Sequence, residues 1–171
     1  EVPVHEPAYE DESPAGQALR AGIGRCITEN NLREFDSIGM QLGIAYDGSP
    51  VICYDGAQTP DFALDRYADS SRPGVRAPHL WRATGDALSD RFGRGYTLLR
   101  IGAAPPAAPA LRGAFDRRRV PLAVLDVPEP EARAKYEGYP LVLVRPDQHI
   151  AWRGMAPPAD PDAVVATLTG T

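Results

Sequence analysis

The stretch "TLLRIGAAPPAAPALRGAF", residues 97–115, reads as a buried strand that runs through a short loop into a helix. In α/β proteins the carboxyl end of a strand, where the chain turns into its helix, is where ligands and chemistry gather. The loop here holds Ala103, Ala104, Pro105, Pro106, Ala107, Ala108 and Pro109. None of these side chains donates a proton, attacks a carbon or binds a metal. The corner has the architecture of a site and none of the reagents.

The pattern continues clearly on both sides of the loop. Tyr96–Ile101 is an apolar strand, and Ala107–Arg119 a helix with Leu111, Ala114 and Phe115 on one side. "PLAVLDV" (121–127) is a second buried strand, followed by a short helix over Glu129–Tyr136. Leu141–Val144 and His149–Arg153 are strands joined by a turn at Pro146-Asp147-Gln148. Asp160 caps a last helix that has Pro161 at its first position and turns Val164, Val165 and Leu168 inward. Strand, helix, strand, helix, strand, strand, helix describes a small three-layer α/β domain.

Upstream the signals thin out. Residues 1–12 read as an extended arm. Ser13-Pro14 starts a helix in which Ala15, Leu19, Ile23 and Ile27 share one face, and "TENN" (28–31) marks its end. Gly22 and Gly24 each weaken that helix by about 1 kcal/mol relative to alanine, so it needs something to pack against. Met40, Leu42, Ile44 and Tyr46 alternate along one strand, "VICY" (51–54) is another, and Asp47-Gly48 between them signals a β-hairpin. Residues 55–78 form a long connection rich in turn formers, of the kind that is usually functional or interfacial. "ALSDRFG" (87–93) holds one short helical turn.

Composition sets bounds on function. A net charge of −5 argues against a nucleic-acid partner. The basic cluster Arg117–Arg119 lies where it offsets a helix dipole. No apolar run approaches the roughly 20 residues of a membrane span, and the acidic, proline-rich start is not a signal peptide. Cys26 and Cys53 form neither a redox pair nor a zinc pattern, and read as buried, reduced thiols of a cytoplasmic protein.

The order of elements, with a proline before the second pair of strands, resembles the thioredoxin fold. That resemblance implies a cis peptide at Pro140 facing the 102–109 loop. A thioredoxin needs two cysteines in that loop, and none is present, so thiol–disulfide exchange is not expected. A broader resemblance covers nearly the whole chain. "REFDSIGMQLGIAYDGSPVI", "SRPGVRAPHLW", "FGRGYTLLRIG", "VPLAVLDV" and "LVLVRPDQHIAWRG" together look like the C-terminal region of FAD-dependent aromatic-ring hydroxylases, single-component flavin monooxygenases of the phenol, phenylpropionate and polyketide type.

This second resemblance implies a thioredoxin-like domain without its cysteines, divided into an arm and bridging helix (1–37), a β-hairpin and long loop (38–93) and the thioredoxin-like core (94–171). It also implies FAD and NAD(P)H for the parent enzyme, with neither held in this chain. "AGIGR" (21–25) sits inside a helix pattern and is not a dinucleotide loop, and Gly85-Asp86 reads as a turn. The expected partner is the flavin-binding domain of the same enzyme, with a homodimer as a further option. The chain alone is expected to be non-catalytic, with no metal site. The rival readings are a stand-alone binding or regulatory module on the same fold, and an enzyme in its own right.

Among individual residues, Arg72, Arg76, His79 and Trp81 are the candidates for an interface. Arg76 has the fork that grips a carboxylate or phosphate. His79 reads either as a polar anchor or as a structural histidine of its proline-rich loop. Trp81 and Trp152 read as packing anchors and His149 as a surface strand residue. Ser49, Ser71 and Ser89 lack a histidine–acid pattern, and Asp65, Asp69 and Asp86 read as loop or cap residues.

Overall fold

Tyr96–Ile101 forms the central strand β1 of a four-stranded sheet. The structure, a computed structural model, describes residues 7–171. β2 (Leu122–Val127) runs parallel to β1, with Tyr96 opposite Leu122 and Ile101 opposite Val127. β3 (Leu141–Val144) lies antiparallel on the other side, with Leu98 opposite Leu143, and β4 (Ile150–Gly154) closes the order β2-β1-β3-β4. β1 and β3 are flanked on both edges and covered on both faces, which is why their sequences are almost continuously apolar.

The pleat of β1 divides the core. Leu99 and Ile101 join Val127, Val142, Val144, Ile150 and Tyr136 on one face. Tyr96 and Leu98 join Leu111, Phe115, Leu143, Val165 and Leu168 on the other. The second face is covered by two helices, α3 (Pro109–Arg117), two residues shorter at each end than the expected 107–119, and α5 (Pro161–Thr169). Asp160 accepts the Ala163 N–H at 2.9 Å, so α5 starts where its cap signal places it. Arg117 and Arg118 reach Asp162 of α5 at 2.6 and 3.3 Å, and so tie the two helices together besides lying near a helix end. The first face is covered by α4 (Pro130–Lys135) and by part of the long connection, including a 3₁₀ turn at Leu88–Arg91.

The N-terminal third departs from its sequence pattern. Residues 1–6 of the predicted arm lie outside the described residues, and Pro7–Glu10 form a 3₁₀ turn. Helix α1 runs Pro14–Phe35, four residues past the expected stop. "TENN" does not end it because Asn30 turns its amide back onto the Cys26 carbonyl, at 2.9 Å, and stays within the helix. The expected β-hairpin does not form. Ile38–Leu42 is a short helix, α2, and residues 43–54 contain no strand. Asp47-Gly48 does make its turn, with Gly48 at φ 69°, but the flanking segments bond elsewhere. The Tyr46 N–H goes to the Gly74 carbonyl (2.8 Å) and the Cys53 N–H to Ala151 of β4 (2.9 Å).

The exposed edge of β4 is what captures these segments. Ile150 N–H bonds Val75 (2.8 Å), and Ala77 N–H bonds Gln148 (2.9 Å), so residues 74–77 cover the edge a hairpin would have left open. Residue 39 has to be glycine for this packing. Its N–H bonds the Leu64 carbonyl at 3.0 Å, and a Cβ there would overlap the Ala63 carbonyl oxygen. We expect Gly39→Ala to push α2 off the 63–66 loop at a cost of about 1–3 kcal/mol, read as a lowered urea midpoint.

Among the described residues no helix is long and apolar enough to cross a membrane. Both cysteines are free and half-buried, more open than the buried thiols their sequence context predicts.

Candidate functional site

The loop after β1 and the Tyr139-Pro140 corner line a cleft of about 230 Å³. Arg133 and Tyr139 are the polar side chains on its walls, and the rest is alanine, proline, glycine, isoleucine and methionine. The Pro140 peptide is trans, which corrects the expected cis bond. Trans is the lower-energy isomer by about 0.5–1 kcal/mol. Here the Pro140 carbonyl is used directly, accepting the Ile101 N–H at 2.8 Å. The cleft presents no nucleophile and no thiol.

A charged network missed by sequence reasoning lies on the β4 side. Arg153 is only 3 % exposed in its side chain. Its Nε donates to Asp55 (2.6 Å), and its Nη1 donates to Glu137 (2.6 Å) and to the Ser71 hydroxyl (2.7 Å). The guanidinium lies 4.1 Å from the Tyr139 ring centroid. Glu137 also accepts the Ser70 hydroxyl and the Ser71 N–H, at 2.9 and 2.8 Å. Burial opposes the charge on Asp55 and Glu137. For Asp55 the Arg153 hydrogen bond, and for Glu137 the Ser71 N–H together with Arg153, outweigh it, so both carboxyls sit below their usual range. Four separate stretches of chain are pinned at one point. The visible signal was an arginine in an otherwise apolar strand, but its partners lie 16, 82 and 98 residues away and no local pattern names them.

The four interface candidates divide. Arg72 is a clamp, with Nε on the Ala57 carbonyl (2.6 Å) and Nη1 on Asp47 (2.9 Å), and it holds the turn that replaces the hairpin. Arg76 and His79 meet in a cleft of about 190 Å³ together with Tyr67, Ser89, Leu42 and Phe92. Burial and the neighbouring Asp69 carboxylate push the Tyr67 phenol up to about 12. His79 packs edge-on against Trp81, with ring centroids 4.9 Å apart. Trp81 is 66 % exposed, so it is a surface aromatic and not the packing anchor its sequence suggests, whereas Trp152 does pack against the core. His149 is also less exposed than expected, because its ring lies tilted against Tyr46, with centroids 4.5 Å apart. Ser71 belongs to the Arg153 network, and Asp69 and Asp86 pair with Lys135 and Arg91.

The most conspicuous surface is apolar. Among the helices and strands, α1 packs mainly against the Pro7–Glu10 turn. Ile27, Leu32 and Phe35 of α1, then Ile38 and Met40 of α2 and Ile44 after it, are all exposed, Phe35 to 79 %. Leu32, Asp36, Leu64 and Asp65 line a groove of about 490 Å³ beside this strip. Gly22 and Gly24 lie in the middle of α1, not at a helix N-terminus behind a strand, so "AGIGR" lacks the geometry that cradles a pyrophosphate. No group of three or more histidine, cysteine or acidic side chains is placed to hold a metal among the described residues.

Residues 70–171 match the family described as aromatic-ring hydroxylase, C-terminal. The chain belongs to that family. The aromatic-ring hydroxylase C-terminal match spans the whole sheet, its helices, the Arg76–His79 loop and most of the Arg153 network. Among relatives, the FAD-dependent monooxygenase apdD of Emericella nidulans is 32 % identical over 144 residues, covering 78 % of this chain and 23 % of apdD. Phenol 2-monooxygenase of a Pseudomonas strain is 29 % identical over 180 residues, covering 94 % of this chain and 29 % of that protein. Among solved structures, native and K252c-bound RebC-10x superimposes with a TM-score of 0.81 at 36 % identity, covering 96 % of this chain and 31 % of RebC-10x. The chain thus spans about a quarter to a third of the length of these proteins. The resemblance read from the five sequence stretches and the fold class of a mixed sheet flanked by helices both hold.

Proposed function

We propose that this chain is the thioredoxin-like C-terminal domain of an FAD- and NAD(P)H-dependent aromatic hydroxylase, and that its role there is architectural. The flavin-binding domain of the same enzyme is the partner, and it covers the apolar strip of α1 and α2. The observation that carries this reading is the strip itself: six exposed large apolar side chains, Ile27, Leu32 and Phe35 on α1, Ile38 and Met40 on α2, and Ile44 after it. Monomeric soluble proteins rarely leave large apolar patches open. The matched relatives have two thirds or more of their length outside the matched region, which is ample chain to cover it. The β1 loop has kept the position of a redox loop without its reagents, which suits a fold reused as a support.

The test uses the full-length hydroxylase that contains this chain. Leu32→Glu with Phe35→Glu puts two charges into the proposed contact, each costing about 1–3 kcal/mol of apolar burial. We expect amide exchange across α1 to accelerate at least tenfold, and limited proteolysis to release the C-terminal domain, while the core strands stay protected. Unchanged protection of α1 in the double variant refutes docking through this strip.

A further inference from the structure

Among the described residues, Arg76 is the one part-buried arginine whose guanidinium meets no carboxylate. Arg20, Arg72, Arg82, Arg100, Arg145 and Arg153 each form an ion pair with an aspartate or glutamate. Arg76 Nη2 donates only to the neutral Gln148 Oε1, at 2.6 Å. In a chain with 23 acidic residues and 18 basic ones, a sheltered guanidinium left without an acid is unusual.

The cleft around it supplies further donors. Ser89 and His79 line the same space, and neither side chain has a hydrogen-bond partner among the described residues; the contact His79 makes is the edge-on packing with Trp81. Asp69, the acid nearest Tyr67, holds Lys135 at 2.6 Å, so that acid is spoken for. Leu42 and Phe92 form the apolar walls. A small cleft with apolar walls and a few convergent donors is the usual form of a site for a small polar group on an apolar body.

We propose that this cleft binds a carboxylate, gripped by the Arg76 fork, with the Ser89 hydroxyl and the His79 ring beside it. The single guanidinium decides the class. One planar fork matches one carboxylate in charge and geometry, whereas a phosphate dianion calls for more positive charge than the cleft holds. The carboxylate comes either from a free organic acid or from an acidic side chain of a polypeptide. This inference does not depend on the docking of α1, whose strip is a different surface.

The experiment is amide-resolved NMR on the 171-residue chain at constant ionic strength. Sodium benzoate represents a free aromatic acid, and N-acetyl-glutamate methylamide represents a protein side chain. Benzamide, with the ring and no charge, is the control. We expect at least one of the two acids to produce saturable shifts at Arg76, His79 and Ser89 that benzamide does not. The tighter of the two identifies the source. Arg76→Gln should raise the Kd about tenfold or more. Ser89→Ala, which removes a hydroxyl with no partner among the described residues, should weaken binding by roughly threefold, and it reads the site even if the arginine variant fails to fold. The proposal is overturned if benzamide shifts the same amides, if neither acid gives a saturable change, or if binding is the same in both variants.

Discussion

Replacing Arg153 by methionine is expected to destabilise the chain by about 2–4 kcal/mol, one of the two largest single-residue effects we anticipate. Methionine fills much of the arginine's volume, so the loss comes from charge and hydrogen bonding more than from a cavity. Removing one partner of a buried ion pair costs about 3–5 kcal/mol when the remaining charge is stranded away from water. Asp55 and Glu137 are partly open to solvent and recover some hydration, which places the expectation below the top of that range. The Ser71 hydroxyl and the face of Tyr139 lose their cation as well. Arg153→Lys keeps the charge but has no planar fork to serve Asp55, Glu137 and Ser71 together, so an intermediate loss is expected. Urea unfolding measures all three proteins, and a methionine variant within 1 kcal/mol of the parent contradicts the assignment.

The same network predicts an acid limb. Asp55 and Glu137 have folded-state values below their ordinary ones, so unfolded chains bind their protons first as pH falls. Their contribution is fully present above the unfolded values near 4 and drains away as pH drops through the lowered folded values. The Arg153→Met variant lacks a principal cause of the lowering, so its stability should change less steeply below about pH 4 than that of the parent.

How far the sequence carried the reading depends on what each segment bonds to. β1, β3, α3 and α5 are legible because their patterns have a single outlet: an apolar run buried on both faces, or a helix with proline at its first position and one apolar side. Residues 40–54 carry an equally good local signal, alternation plus Asp-Gly, yet form no hairpin. Their N–H groups are taken by Gly74 and by Ala151, 28 and 98 residues away, which no period-2 pattern foresees. Met40 and Ile44 are exposed for the same reason, since the face they share has no sheet behind it. The candidate site was legible in part. The "RPGVRAPHLW" stretch was recognisable as an interface candidate, but only the fold separates Arg72, a clamp with its acid in place, from Arg76, which has none. Arg153 was invisible as a hub because its partners come from three distant stretches.

Tyr136→Ala is expected to cost about 3–5 kcal/mol and to disorder the Arg76–His79 cleft with it. The ring is fully buried between α4 and the sheet, in the same cluster as Leu88, Leu99, Val142 and Val144. Its hydroxyl reaches out of that cluster to donate to the Pro78 carbonyl at 3.2 Å, in the middle of the loop that carries Arg76, His79 and Trp81. Burial pushes the phenol well above its ordinary range, which favours its protonated, donating form. Two variants separate the two roles. Tyr136→Phe keeps the packing and leaves one carbonyl short of a partner, so it should cost only about 1 kcal/mol while loosening residues 76–81, seen as faster amide exchange there. Tyr136→Ala removes the ring as well, and the core under the loop partly collapses. If the phenylalanine variant destabilised the chain as much as alanine does, the hydroxyl and not the ring would be the main support. If it left exchange across 76–81 unchanged, the loop would owe its position to its other bonds, among them Ala77 N–H to Gln148 and Leu88 N–H to Leu80. Between those outcomes lies the arrangement the structure shows, in which one aromatic side chain joins the packing of the sheet to the loop that carries Arg76, His79 and Trp81.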